Sequence, residues 1–287
     1  MDKPIKKRLK HLEIQKYHHH KAIFKIADND VLALFEKLLY KSDNFMLEPS
    51  FKIKDEEVFS SRFIITWRLN KDFLQNINPI LDFFKQLSKR NIRLNYNLIK
   101  RININKINVK KIEEIIVGID LRNKFCESRI KFYVVMDGYP ELFNQILKMH
   151  GYNSKVIDLI YSSALAVGFD FYFNGKTRSK IYVPLDSSHL DNFIIQKKLN
   201  KIFSPKINYF LSKSNKIYVS YKGSGFKRTL YFFPKNPKSF INLLNNKKFK
   251  EIYSAWGLKN KDYYCTVSLM EDEINKNCLR NINFYYS

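Results

Sequence analysis

One stretch narrows the choice of fold more than any other: residues 168–185, GFDFYFNGKTRSKIYVPL. Phe169, Phe171 and Phe173 alternate with Asp170 and Tyr172. That is the period-2 pattern of a strand with one apolar face. Asn174-Gly175 then supplies residues that tolerate a tight hairpin turn. On the return strand, 180–185, Lys180 and Tyr182 share one face while Ile181 and Val183 share the other. A chain built on such hairpins forms an antiparallel sheet. A face that offers a cation and a phenol suits the wall of a cavity that holds an anion.

The pattern recurs along the chain. Strands are expected at 45–54, 60–68, 92–96, 112–121, 129–136, 207–211, 216–221, 228–233, 263–269 and 279–286, besides the hairpin. Helices are expected over 28–42, with Asp28 or Asp30 as cap, and over 78–89, with Asn78 as N-cap and Pro79 at the first helical position. Further helices fall at 140–150, 154–165, 190–203 and 240–256, and residues 1–27 form a basic arm or helix. Helices thus separate pairs or triplets of strands. The connections between neighbouring strands are too short for parallel crossovers. No Pro/Gly/Ser-rich linker divides the chain, so 1–287 reads as one domain. A sheet of about a dozen strands curls, and closing it removes its edges. The expected fold is α+β, a closed antiparallel barrel with helices outside.

Composition bounds the partners. Lys and Arg number 51 against 27 Asp and Glu, a formal charge of +24 that favours an anionic partner: nucleic acid, membrane surface or phosphorylated substrate. Much of that lysine also fits a solvated surface. Cys126, Cys265 and Cys278 form no CxxC or His/Cys ligand pattern and suit a reduced, cytoplasmic setting. The longest uncharged run, 159–169, is far below the roughly 18 residues of a membrane-spanning helix. His18-His19-His20 reads as a surface tract with no fourth metal ligand nearby. The glycine-rich phosphate loops, the G-x-S-x-G elbow and the aspartate-rich DDxxD pair are absent.

Polar residues alternate on several strands: Glu48, Ser50, Lys52 and Lys54; Arg62, Thr66 and Arg68; Arg129, Lys131 and Tyr133; Lys180 and Tyr182; Asn283 and Tyr285. Periodicity does not tell which face is inside. A half-buried sheet with these residues in solvent is the commoner arrangement.

VGIDLRNKFCESRIKFYVVMDGYPEL at 117–142, GFDFYFNGKTRSKIYV at 168–183, FMLEPSFKI…SSRF at 45–63 and the terminal LRNINFYY resemble the LynF/TruF/PatF family of cyanobactin peptide prenyltransferases, in order, from about residue 9 onward. The resemblance implies a ten-stranded antiparallel ABBA barrel of α-β-β-α units with the polar faces inside. It implies transfer of a prenyl group, C5 dimethylallyl or C10 geranyl, from an allylic diphosphate held in the barrel. The acceptor would be a side chain of a ribosomally made peptide, linear or macrocyclic, first of all a Tyr oxygen, with Trp, His, Arg or Ser/Thr as alternatives. Magnesium would come with the diphosphate, with no metal ligand on the protein. By this likeness Glu48 is the general base. Arg62 and Lys131 bind diphosphate, with Lys180 and Arg280 beside them, and Tyr133, Tyr182, Tyr231 and Tyr285 shield the allylic cation. Asn283 stands where the family pattern has a basic residue. Thr66, Val219 and Cys265 stand where tyrosine-modifying relatives carry bulkier aromatics, which implies a roomier prenyl or acceptor pocket. The enzyme would be a cytoplasmic monomer with no membrane or nucleic-acid partner. Two other readings stay open: a basic, aromatic sheet that binds nucleic acid, and a catalytically silent scaffold of the same family.

Overall fold

The computed structural model describes residues 3–68, 73–90, 92–101, 109–137, 144–148, 165–222, 228–257 and 264–287. Ten strands form a closed barrel: β1 (Phe45–Lys54), β2 (Glu57–Arg68), β3 (Ile112–Asp120), β4 (Arg129–Met136), β5 (Leu165–Tyr172), β6 (Thr177–Leu185), β7 (Ser214–Lys222), β8 (Arg228–Pro234), β9 (Cys265–Met270) and β10 (Asn281–Tyr286). Every neighbour is antiparallel and sequential, and β1 pairs with β10 to close the ring, Ser50 opposite Tyr285. A closed ring leaves no strand edge unpaired, so no chain can add to it.

The apolar half of each alternation points outward. Phe63, Ile65 and Trp67 on β2, Phe169 and Phe171 on β5, and Phe232 and Phe284 are fully buried there, under the helices. Each such ring is worth roughly 1.5–3 kcal/mol relative to exposure. Helix α1 (Lys3–Ile23) lays Tyr17 on Phe63, ring centroids 4.7 Å apart. Helix α2 (Asp30–Lys41) packs Phe35 on the same ring, and Phe83 of α3 (Phe73–Ser88) packs on Phe35. The barrel core is therefore a sleeve between sheet and helices, and the inner face is left for polar groups.

The structure revises several local expectations. The cap of α2 is Asn29, whose Oδ1 accepts from the amides of Val31 and Leu32, so neither aspartate serves. Helix α3 begins at Phe73 and carries Pro79 inside it. The proline forgoes one intrahelical hydrogen bond, and burial of Ile80, Phe83 and Leu87 outweighs that loss. Residues 92–96 give only one bridge, Arg93 to Asn174. Residues 207–211 belong to the helix Pro205–Ser212, capped by Ser204, whose Oγ accepts from the Ile207 amide. The Ser-Pro pair is a helix start that the alternation concealed. The helices at 190–203 and 240–256 are each broken in two: Ser187–Leu190 with Phe193–Ile202, and Pro237–Leu243 with Lys247–Gly257. Of the helix at 140–150, residues 144–148 are helical and the rest lie outside the described residues, as does 154–164.

The hairpin β5–β6 forms as read. Its turn needs a positive φ at Gly175 alone, 82°, and Asn174 instead accepts from the Lys176 amide. His20 is no surface ligand. It is fully buried, accepting at Nδ1 from the Tyr286 hydroxyl (2.5 Å) and donating from Nε2 to the Ser60 carbonyl (2.7 Å). The Ser60 carbonyl can only accept, which assigns the proton to Nε2. Burial lowers the imidazole's pKa to about 4, so it stays neutral at pH 7.

Candidate active site

Inside the barrel the side chains form two layers. Residues two apart on a strand share a face and lie roughly 6.6–6.8 Å apart. Lys131 and Tyr133 on β4, Lys180 and Tyr182 on β6, and Asn283 and Tyr285 on β10 are such pairs. Lysines and asparagine form the lower layer, phenols the upper.

The lower layer is a network of charge. Asp120, at the end of β3, is fully buried and meets Arg129 (2.7 Å), Arg122 (2.8 Å), Arg62 (3.3 Å) and Lys131 (3.8 Å). Asp170 on β5 meets Arg129 at 3.0 Å and pairs with Lys180. Five cations, Arg62, Arg122, Arg129, Lys131 and Lys180, thus share two carboxylates. Burial alone would raise the pKa of Asp120, but Arg62, Arg129, Lys131 and Arg122 outweigh it and hold the carboxyl well below the usual range. Burial and the repulsion of Arg62 push the Lys131 ammonium well down. Burial, with Arg62 and Arg122, lowers Lys52, on β1 next to β2, to about 7. The layer carries more positive charge than its own anions neutralise.

The upper layer is a chain of phenols. Tyr133 and Tyr182 have ring centroids 5.5 Å apart, Tyr182 and Tyr231 5.5 Å, Tyr231 and Tyr285 6.3 Å. Burial raises the pKa of all four, so they stay protonated and serve as neutral donors. Gly168 makes room for this chain. A Cβ there would meet the Tyr133 ring at 2.4 Å and the Tyr182 ring at 3.1 Å.

Above the phenols lies a cavity of about 270 Å³, lined by Glu48, Ile64, Thr66, Tyr133, Tyr182, Tyr218, Tyr231 and Tyr285, with the exposed Met46, Arg68 and Tyr264 at its margin. Its size is at the low end of ligand pockets, roughly 300–1,000 Å³. Glu48 reaches into it from β1. Among the described residues no hydrogen bond or ion pair engages its carboxyl. Burial first, then the nearby Glu114, pushes its pKa up to about 7. A carboxyl with that pKa exchanges a proton near neutrality.

The structure brings together Glu48, Arg62, Lys131, Lys180, the four tyrosines and Thr66. It does not bring in three others. Val219 and Cys265 point outward into the sleeve under the helices, because their strand neighbours Tyr218 and Thr266 take the inward phase. Arg280 is exposed on the connection before β10, and its carbonyl accepts from the Asp55 amide in the β1–β2 turn. Asp120, Asp170 and Arg122 were not among the expected site residues, and Arg129, although expected on the polar face of Lys131 and Tyr133, had no role assigned to it. Their signal was present: Arg129 shares the alternation of Lys131 and Tyr133, and Asp170 that of Gly168.

A metal would need ligands that are not already committed. Asp120 and Asp170 are taken up by cations, and no cluster of three His, Cys, Asp or Glu suited to a metal occurs among the described residues. The site therefore does not fit a protein-held metal ion. No helix among the described residues is long and apolar enough to cross a membrane.

Comparison with solved structures places the fold. The chain is similar to 5-dimethylallyltryptophan synthase from Streptomyces coelicolor (TM-score 0.58, 8% identity, covering 93% of each chain). It is similar to AnaPT from Neosartorya fischeri (TM-score 0.56, 14% identity, 84% of this chain and 78% of that one). A third is 6-dimethylallyltryptophan synthase from Micromonospora olivasterospora, solved in complex with DMASPP and Trp (TM-score 0.54, 10% identity, 84% and 81%). At these identities the likeness is one of fold: the ten-stranded ring with helices outside is the ABBA prenyltransferase barrel. No curated protein matches the chain in sequence. Residues 11–287 match a family model, and the chain belongs to that family, described as a family of unknown function (DUF5838).

Proposed function

We propose that this protein transfers a prenyl unit, C5 dimethylallyl, from its allylic diphosphate to a side chain of a ribosomally made peptide, first of all a Tyr hydroxyl, as in cyanobactin biosynthesis. The observation that carries the reading is the buried excess of cations under a wall of phenols. Diphosphate sits among Arg62, Lys131, Arg129 and Lys180. As the allylic C–O bond breaks, its electrons go to the diphosphate oxygen, and preorganised cations in a dry site stabilise that charge. Positive charge develops on the prenyl fragment, which lies against the ring faces of Tyr133, Tyr182, Tyr231 and Tyr285. Those rings also keep out water that would capture the fragment. The acceptor oxygen bonds to the prenyl carbon as its proton passes to Glu48, whose pKa near 7 suits a base. The cavity's small volume favours the C5 unit over C10 geranyl.

Magnesium, in this reading, arrives on the diphosphate, since the chain offers it no ligand set of its own among the described residues. The enzyme acts as a cytoplasmic monomer on linear or macrocyclic peptides. An indole acceptor is the second reading, favoured by the dimethylallyltryptophan synthases that share the barrel. The nucleic-acid alternative required an open aromatic sheet face. Here the tyrosines that alternate with lysines turn inward.

The test is incubation with dimethylallyl or geranyl diphosphate and a panel of linear and cyclic peptides carrying Tyr, Trp, His, Arg, Ser or Thr, with magnesium or a chelator. A gain of one isoprene unit on a Tyr peptide is expected. Fragmentation locates the acceptor atom. No gain on any peptide, under either metal condition, overturns the reading and leaves the scaffold alternative.

A further inference from the structure

Arg62 is fully buried, and its guanidinium is held on three sides. Nε faces Asp120 Oδ1 at 3.3 Å, Nη1 donates to Asn283 Oδ1 at 2.8 Å, and Nη2 donates to the Tyr285 hydroxyl at 3.3 Å. A guanidinium has five N–H donors in one plane. The two hydrogen bonds leave one N–H on each terminal nitrogen for an incoming anion, while Nε meets Asp120 as an ion pair and not as a hydrogen bond. Where the plane faces depends on the shortest of the three contacts, the one to Asn283.

Asn283 is itself locked. Its Nδ2 donates to Ser268 Oγ at 2.7 Å, and Ser268 is its fully buried register partner on β9. An amide that gives its N–H to Ser268 must turn its carbonyl to Arg62. A flipped amide would set donor against donor. The pair therefore fixes Arg62 through a relay across three strands: Ser268 on β9, Asn283 on β10, Arg62 on β2. Neutrality matters here. A lysine or arginine at 283 would repel Arg62, and a carboxylate would neutralise it. An amide offers an acceptor and leaves the charge whole.

We propose that Asn283, backed by Ser268, is a positioning residue that aims Arg62 at the transferring diphosphate. The proposal rests on the prenyl-transfer reading. It assigns Asn283 no contact with substrate: its effect passes through Arg62. Because charge on the diphosphate grows as the C–O bond breaks, a misaimed Arg62 costs more in the transition state than in the bound donor.

The experiment compares wild type with Asn283→Leu, Asn283→Asp and Ser268→Ala. Inorganic pyrophosphate affinity is measured by calorimetry, kcat and donor KM by peptide prenylation, and folding by circular dichroism. Asn283→Leu should lower kcat about 10–100-fold while donor KM changes about threefold or less, and affinity for pyrophosphate, which carries the charge the leaving group acquires, should fall severalfold. Asn283→Asp should weaken pyrophosphate binding by about tenfold or more, through pairing with Arg62. Ser268→Ala should lower kcat severalfold, on the order of 3–10, and it carries the test should the Asn283 variants fail to fold. A kcat unchanged in folded Asn283→Leu or Ser268→Ala overturns the positioning role and leaves the prenyl-transfer reading intact. A wild-type protein that neither binds pyrophosphate nor prenylates any peptide overturns both.

Discussion

Asp120 is a fully buried carboxylate and Glu48 a part-buried one in the same barrel, and desolvation pushes both upward. Yet Asp120 ends well below the ordinary carboxylate range, while Glu48 ends at about 7. The difference lies in their neighbours. Asp120 sits among Arg62, Arg122, Arg129 and Lys131; Glu48 sits beside Glu114 in a cavity of phenols. Position along the barrel axis decides the role. At the lower level a carboxylate is a permanent anion that organises cations. At the upper level, in the proposed transfer, it is the group that gains and loses a proton. The same chemical group serves as scaffold or base according to the charges around it.

The comparison breaks most readily at Glu48. Glu48→Gln should lower kcat of the proposed transfer about 10²–10⁴-fold with pyrophosphate affinity unchanged, since the lower layer is untouched. In the wild type, activity should fall as pH drops through about 7, where the base becomes protonated, and that acid limb should vanish in the variant's residual rate. A variant with full activity removes Glu48 from the reaction.

Arg62→Met attacks the other layer. Loss of one preorganised donor to the leaving group should cost about 10²–10³-fold in kcat, and pyrophosphate affinity should fall as well. If the two variants gave the same profile, the two layers would not divide the work.

His20 sharpens the comparison from outside the barrel, as a buried group with no charged partner. Its folded pKa lies below its unfolded value, so folding favours the neutral ring. That stability is fully present above pH 6.5 and is lost as pH falls through 4. The window of about 2.5 units corresponds to roughly 3 kcal/mol. Urea midpoints measured from pH 7 to 4 should fall accordingly, and His20→Gln should flatten that slope.

The smallest effect is the most diagnostic of face. Val219→Phe should leave the ratio of geranyl to dimethylallyl turnover unchanged and lower stability by about 1–3 kcal/mol, the usual cost of overpacking. Thr66→Phe, in the cavity wall, should depress geranyl turnover relative to dimethylallyl. A shift in the ratio with Val219→Phe would reverse the assignment of faces on β7.

The strands were legible because each carries its alternation in few residues. β1 and β4 match their expected bounds, and Asn174-Gly175 marked the hairpin. Inside and outside were not legible from that pattern, since shifting the phase by one residue exchanges the faces. Val219 and Cys265 were misplaced for that reason, although Tyr218 and Thr266 beside them held the inward phase. Arg280 was misplaced because β10 begins two residues later than expected, at Asn281, which leaves Arg280 on the connection. The role of Asp120 was hidden because its four cations come from β2, β4 and the β3–β4 connection, and only the register unites them.

Pairing of β1 with β10 has a consequence in time. Ser50 and Tyr285 are adjacent in space yet separated by most of the chain. Such a contact forms late, because its loop must close before any gain is realised. Arg62 takes two of its three anchors, Asn283 and Tyr285, from that last strand. During synthesis the upper phenols on β4, β6 and β8 can assemble first, but the guanidinium finds its aim only when the ring shuts. A ribosome-bound or C-terminally nicked chain would hold most of the wall without the aimed Arg62, so the proposed transfer, where it is measured, would itself report that the barrel has closed.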